Sequence, residues 1–431
     1  MTTGWRSQAK YPHPVSQGGR WRAVGIICVV LMILYAMSKT KGSETKTKDF
    51  PLPREAAPTR EAAPTPQWCR NAGVMCPSFL IIGERKCGTT SLFNYILQHP
   101  SILPPRVKEP QFFNRRVSTV EEAKRKISIY TAILPPLTKS DSKPACMEQL
   151  DLLPNGTIGR LNPFCRRHDP ALHQLTGEAS ATTFSQAVPH VVRTLLPTVK
   201  LVVILRCPLR RIGSHYDMHL RFFKKEGRKS FRRRPLVQLL QEELAKISEA
   251  RSQSHASTSS KSTSSVEAIR TAAEANAEYI PSSVYVYHVE RWMAVGLKLL
   301  VLFQENMETA SSTAENLASF MCPVFQHIGL LRNDNSCSEL SAIYHMMGSS
   351  YESGTPLKFN SASNLLDQNV AAAATSSSSP SSSTTSSFNI LPAPLIDRLC
   401  KEVFTMANTR LKSVLEARGE LKPPVSWMCT E

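Results

Sequence analysis

The sequence predicts an α/β fold, a mostly parallel sheet flanked by helices. Two segments, Phe79–Leu92 and Lys200–Tyr216, each read as a buried strand running through a turn into a helix. A third apolar run at 299–303 follows a helical pattern. Short apolar runs without alternation suit parallel strands covered on both faces. Ligands of such sheets bind at the carboxyl ends of the strands, where both turns begin.

In the first segment, Gly83 and Gly88 permit tight turns and close approach to a ligand. Thr89, Thr90 and Ser91 are candidates to cap the next helix and to offer hydroxyls to phosphate oxygens. Gly83-x4-Gly88 fits the front half of a P-loop, which then requires Lys followed by Ser or Thr. Here Thr89 holds the lysine position and Lys86 precedes the second glycine, which argues against ATP or GTP hydrolysis. The second segment places Arg206, Pro208, Arg211 and Ser214 after its strand. Cations and hydroxyls beside a helix N-terminus suit an anionic nucleotide, because the first N–H groups are unpaired and the dipole end is positive.

Lys86, Cys87, Gly88, Thr89, Thr90 and Ser91 together resemble the 5′-phosphosulfate loop of sulfotransferases that use 3′-phosphoadenosine 5′-phosphosulfate. Arg206, Pro208, Arg211 and Ser214 fall at the spacing of that family's 3′-phosphate segment. Gly177–Thr182 is similar to a segment of N-acetylgalactosamine 4-sulfate 6-O-sulfotransferase. Lys108–Phe113 is similar to a catalytic segment of heparan sulfate N- and 3-O-sulfotransferases. The resemblance covers 78–223 well and resumes more weakly at 284–308 and 388–415. It implies a Golgi carbohydrate sulfotransferase with a P-loop-like nucleotide-binding domain over 78–425. There are departures. Ala179 stands where several heparan sulfate enzymes carry lysine, and no Lys-Gly-Arg element follows Gly329.

The resemblance also implies roles. Lys86 would stabilise the leaving phosphate oxygen, with Cys87, Gly88, Thr89, Thr90 and Ser91 around the 5′-phosphate. Arg206 and Ser214 would grip the 3′-phosphate. Glu109 is the candidate general base, with Pro110, Phe112 and Phe113 expected to desolvate it and Lys108 to oppose them. Glu178 is the second candidate, as base or acceptor contact, and Ser180 joins it on the substrate side. Each also has a plainer reading: a surface carboxylate for Glu109, a strand-end hydrogen bond for Glu178. His215 reads more readily as a packing residue than as a ligand; Tyr285, His288 and Trp292 face either the cofactor or the core, and core is the favoured reading.

The ends and composition bound the rest. Residues 23–37 form an uncharged apolar stretch, shorter than the roughly 20 residues of a usual span. They are expected to be a signal anchor behind a cytoplasmic tail, 1–22; a cleaved signal peptide is the alternative. Residues 38–77 are expected to be a stem or linker, and 38–67, rich in Lys, Thr, Ala and Pro, cannot bury a core. Segments 252–277 and 361–387 are Ser-rich and read as disordered insertions. Asn155-Gly156-Thr157 is an N-glycosylation sequon, implying a lumenal, Golgi-facing catalytic domain. Eleven cysteines in that setting suggest disulfides. Cys69 with Cys76, Cys146 with Cys165, and Cys322 with Cys337 close short loops, while Cys87 and Cys207 are expected to stay free. No Cys/His spacing resembles a zinc site, so no metal is expected.

Lys and Arg number 52 against 34 Asp and Glu, a net charge of +18. For a lumenal chain the expected partner is an acidic polysaccharide rather than nucleic acid. The densest basic run, Arg221–Arg234, follows the second nucleotide segment and either lines the acceptor cleft or is simply solvated. The expected activity is sulfuryl transfer to a carbohydrate hydroxyl, on a glycosaminoglycan such as chondroitin or dermatan sulfate. The alternatives are a P-loop kinase or NTPase and a non-catalytic, membrane-anchored glycan-binding relative.

Overall fold

Phe79–Gly83 contains no polar side chain, and it forms β1, the central strand, with every residue buried. The computed structural model describes residues 65–137, 145–147, 150–152, 158–160, 164–166, 172–225, 234–257, 278–331, 337–349 and 391–427. All fall within the unit Ala62–Glu431. Along the chain, α1 (Gln67–Ala72) precedes β1, and α2 (Thr89–Leu97) and β2 (Ile102–Leu103) follow it. The short strands β3 (Ala145–Met147), β4 (Leu150–Leu152), β5 (Ile158–Arg160) and β6 (Phe164–Arg166) pair antiparallel, β3 with β6 and β4 with β5. Next come β7 (Leu175–Ala179), α3 (Pro189–Leu195), β8 (Lys200–Leu205), α4 (Pro208–Lys225) and α5 (Leu236–Ser257). The chain continues with α6 (Tyr285–Met293), β9 (Lys298–Phe303), α7 (Gln304–Ala310), α8 (Ala314–Ile328), α9 (Cys337–Ser349), α10 (Ala393–Leu399) and α11 (Thr405–Glu416).

The main sheet has five strands in the order β2-β7-β1-β8-β9, and each adjacent pair is parallel. The expected mostly parallel α/β architecture is therefore present, with all three expected strands. Successive residues serve opposite faces, as the pleat requires. Leu80, Ile82, Leu201, Val203 and Val301 join a core with α3, α5, α6 and α11. Phe79, Ile81, Val202, Ile204 and Leu302 join a second core with α2, α8 and α9. Chain order reverses across β1: β2 and β7 lie to one side, β8 and β9 to the other. The crevice beyond β1 and β8 is thus the topological switch point, the usual ligand position in an open α/β sheet.

Four expectations need correction. The stem does not extend to 77. Trp68 Nε1 donates to the Leu195 carbonyl at 3.0 Å, and Cys69 is fully buried and bonded to Cys76, so α1 is part of the folded unit. A Trp and two Cys supply the burial that the preceding Pro- and Ala-rich residues lack. Disorder does not begin at 252, because α5 runs to Ser257. The hydroxyls after Gly88 do not cap α2. Gly88 is itself the N-cap, with φ +93°, and Thr89 is already helical. The close approach that Gly83 and Gly88 permit is to protein: a Cβ would meet Phe184 Cβ at 2.6 Å and Met307 Cε at 2.8 Å, respectively.

Cys322 bonds Cys337, and Cys87 and Cys207 are free. The β3–β6 register sets Cys146 opposite Cys165. Cys400 is also disulfide-bonded, which the loop spacings did not suggest. The expected tail helix is present, interrupted by a π-helical turn at Cys400–Phe404. The expected anchor 23–37, the sequon Asn155 and the expected insertion 361–387 lie outside the described residues. No helix among those residues is long and apolar enough to cross a membrane.

Candidate functional site

The loops after β1 and β8 emerge side by side because their strands are neighbours. Glu84 N–H donates to the Ile204 carbonyl at 2.9 Å, joining the two exits. Tyr285 of α6 then ties the loops together. Its hydroxyl donates to the Arg206 carbonyl at 2.8 Å and lies 3.8 Å from the Cys87 thiol. Glu305 Oε1 accepts the Cys207 N–H at 2.9 Å, fixing the second loop from α7.

Lys86 sits in the first loop with φ +69°, a left-handed conformation costly for a side chain with a Cβ. Burial, followed by the Arg221 and Arg206 charges, pushes its ammonium down to about 8. Among the described residues neither Lys86 nor Arg206 has an ion-pair partner, and the Ser214 hydroxyl has no hydrogen bond. Ser214 and Arg221 lie seven residues apart on α4, two helical turns, and so share one face. Pro208 opens that helix, where its fixed φ fits and no N–H is lost. Three cations and a hydroxyl thus converge near the N-terminus of α2, and the Asp217 charge acts the other way on Lys86. This chemistry fits a ligand with more than one phosphate or sulfate group.

Not every expected residue contributes its side chain. Cys87 is fully buried, its N–H donates to the Glu84 carbonyl, and burial lifts its thiol to about 12. It closes the turn and leaves little for a ligand. Thr89 is also buried, whereas Thr90 is half-buried at the mouth of α2. Arg211 turns away from the site. Its guanidinium, 0% exposed, donates to Ser283 Oγ, the Tyr279 carbonyl and Ser282 Oγ at 2.7–2.8 Å. It also lies 3.9 Å from Glu84. His288 and Trp292 are core, as expected.

The candidate base region lies at the end of β7. Glu178 is 1% exposed, and burial pushes its carboxyl up to about 7; the Ser180 hydrogen bond opposes this and the Glu109 charge adds to it. Ser180 Oγ donates to Glu178 Oε2 at 2.7 Å and accepts the Gln111 N–H at 3.0 Å. Glu109 is one-third exposed and ion-paired with Lys108 at 2.5 Å. Phe112 and Phe113 form a buried cluster with Tyr130, at centroid distances of 4.8–5.2 Å. Glu109 and Gln111 have φ of +61° and +51°. With Lys86 they are the non-glycine residues in left-handed backbone among those described, and all three belong to this site. Such outliers cluster where the surrounding structure over-determines a functional geometry.

Sequence reasoning missed Tyr285 as the tie between loops and Arg221 as a neighbour of Lys86. Arg221 was legible at helical spacing from Ser214. Tyr285 was singled out in sequence as facing the cofactor or the core, but its partners, Arg206 and Cys87, lie in remote segments and its tying role was not legible.

No family model matches the chain. A stretch of 44 residues, 9% of the chain, is 50% identical to human bifunctional heparan sulfate N-deacetylase/N-sulfotransferase 3 and spans 5% of that protein. The fold can be superposed on a crystal structure of a sulfotransferase from Alicyclobacillus acidocaldarius with a TM-score of 0.40 and 17% identity. That superposition covers 82% of this chain and 99% of the bacterial one.

Proposed function

We propose that this chain transfers a sulfuryl group from 3′-phosphoadenosine 5′-phosphosulfate to a hydroxyl of a carbohydrate. The observation that carries this reading is the convergence of unpaired Lys86, Arg206 and Ser214 at the switch point beyond β1 and β8. The 44-residue likeness to a protein named as an N-sulfotransferase agrees with it.

Lys86 holds the bridging phosphate oxygen and stabilises the charge that develops there as the sulfur–oxygen bond breaks. The N-terminus of α2 and Thr90 hold the 5′-phosphate, with Gly88 allowing the turn. Arg206 and Ser214 bind the 3′-phosphate. Glu109, the more exposed carboxylate, accepts the proton of the attacking hydroxyl. Glu178 stands behind it, and Ser180 couples Glu178 to the 109–111 turn. The acceptor is an acidic polysaccharide, a glycosaminoglycan such as chondroitin or dermatan sulfate, attracted by the +18 chain. The setting is the Golgi lumen, with 23–37 as the anchor.

The test is transfer of radiolabelled sulfate from the donor to a panel of desulfated and partly sulfated glycosaminoglycans. Labelled product dependent on Lys86 supports the reading. Magnesium-dependent ATP turnover, or polysaccharide binding without transfer, overturns it. Asn155→Gln should abolish an endoglycosidase-sensitive mass shift if the domain is lumenal.

A further inference from the structure

The face of α4 away from Ser214 carries His215 and His219, one turn apart, with ring centroids 4.5 Å apart. Glu278 approaches both from the segment leading into α6. Its Oε1 lies 3.3 Å from His215 Nε2 and 3.6 Å from His219 Nε2. All three atoms fall within 4.8 Å of one another, the one such group among the described residues. A tetrahedral ion with bonds of about 2.0–2.1 Å holds neighbouring ligand atoms roughly 3.3–3.4 Å apart. Little movement separates the observed spacing from that geometry.

The surroundings orient these ligands. His219 Nδ1 lies 2.8 Å from the Tyr279 hydroxyl, which leaves Nε2 facing Glu278. The Glu278 and Tyr279 N–H groups donate to Glu243 Oε1 at 2.6 and 3.0 Å, fixing the backbone that carries the carboxylate. Outer contacts of this kind are what hold metal ligands in register.

A cation already stands at the meeting point. Arg85 Nη1 is 2.8 Å from His215 Nε2 and 3.1 Å from Glu278 Oε1. Arg211 Nη1 lies 3.4 Å from the other ring nitrogen, Nδ1, so a guanidinium faces the imidazole on each side. A ring nitrogen of His215 and the Glu278 carboxylate thus point at one place, which Arg85 now supplies with positive charge.

We propose that His215, His219 and Glu278 form a binding site for a divalent transition-metal ion of the zinc class, with Arg85 filling it when no ion is bound. Water completes the coordination. Glu278 and His219 side chains, 45% and 20% exposed, provide the way in, and Arg85, 15% exposed, the way out. Arg85 adjoins Lys86, so an arriving ion releases the residue next to the cationic cluster. The proposal does not depend on the sulfuryl-transfer reading.

The test uses the full chain, stripped with EDTA and dialysed. Zn2+ is titrated by calorimetry, and Co2+ is followed by visible absorption. One equivalent should bind, with tetrahedral d–d bands and no thiolate charge-transfer band. His219→Ala should weaken binding at least tenfold. Arg85→Gln should tighten it, because the competing cation is gone. If His219→Ala melts early, His219→Gln takes its place. Failure of both wild type and Arg85→Gln to bind one equivalent overturns the proposal. So does binding that the His219 variants leave unchanged, which marks an adventitious ion only.

Discussion

Ser180 donates its hydroxyl hydrogen to Glu178 Oε2 at 2.7 Å, at the point where β7 ends. Ser180 Oγ also accepts the Gln111 N–H, so one small side chain joins a buried carboxylate to the turn that carries Glu109. Two acids of unlike exposure, coupled by charge, are thereby held beside each other at the carboxyl edge of the sheet.

The roles of these acids are separable. Glu109→Gln keeps shape but removes proton acceptance, and should lower transfer roughly 10²–10⁴-fold. Binding of the product nucleotide should hardly change. Glu178→Gln should cost less and alter the pH profile near neutrality. Calorimetry and transfer on the same preparations check this; a collapse in Glu178→Gln alone would exchange the two roles.

Glu178 also makes stability depend on pH. Its folded value of about 7 exceeds the unfolded 4.5, so the native state binds the extra proton between them. Stability therefore falls as pH rises through that window, by about 3 kcal/mol at most. Glu178→Gln should match wild type below pH 4.5 and exceed it above 7. Urea melts at pH 4, 6 and 8 measure the difference.

Lys86 predicts a second pH effect. Its ammonium titrates at about 8 in the ligand-free protein, because burial and two arginines disfavour the charge. Affinity for 3′-phosphoadenosine 5′-phosphate should fall as pH rises through 8. Lys86→Ala should abolish transfer and flatten that dependence. Arg206→Ala should weaken nucleotide binding by on the order of 1.5–3 kcal/mol. Nucleotide titrations from pH 6 to 9.5 on the three proteins decide it.

Tyr285→Phe removes the hydroxyl that ties the Arg206 carbonyl to the Cys87 turn. The lost hydrogen bond should cost about 0.5–1.5 kcal/mol in stability. Nucleotide affinity should drop with it, since both loops bind the ligand. An unchanged melting curve and unchanged affinity would show that the loops are fixed by other contacts.

The α1 disulfide offers a test of where the domain begins. Cys69 and Cys76 are seven residues apart, a loop whose closure contributes about 2–3 kcal/mol. Cys69→Ser with Cys76→Ser should lower stability by that amount. Deleting residues through 77 should cost more, because the Trp68 contact with Leu195 is lost as well. Deletion through 64 should leave the melt unchanged.

Local sequence determined what local physics controls. Apolar runs at 79–82, 201–205 and 299–303 have few ways to be buried except as strands covered on both faces. The strand–turn–helix pattern of both segments was legible, although the hydroxyl residues expected to cap the first helix lie inside α2. The tertiary structure alone decided which side chains serve the site. Arg206 and Arg211 look alike in sequence, yet the first stays unpaired at the crevice and the second is consumed by Ser282, Ser283 and Tyr279. Glu109 and Glu178 are both carboxylates near strand ends, yet only packing distinguishes one at the surface from one sealed beneath it. Arg85 meets His215 and Glu278 from two distant segments. Charge and burial depend on neighbours brought together by the fold, and a one-dimensional spacing does not carry that information.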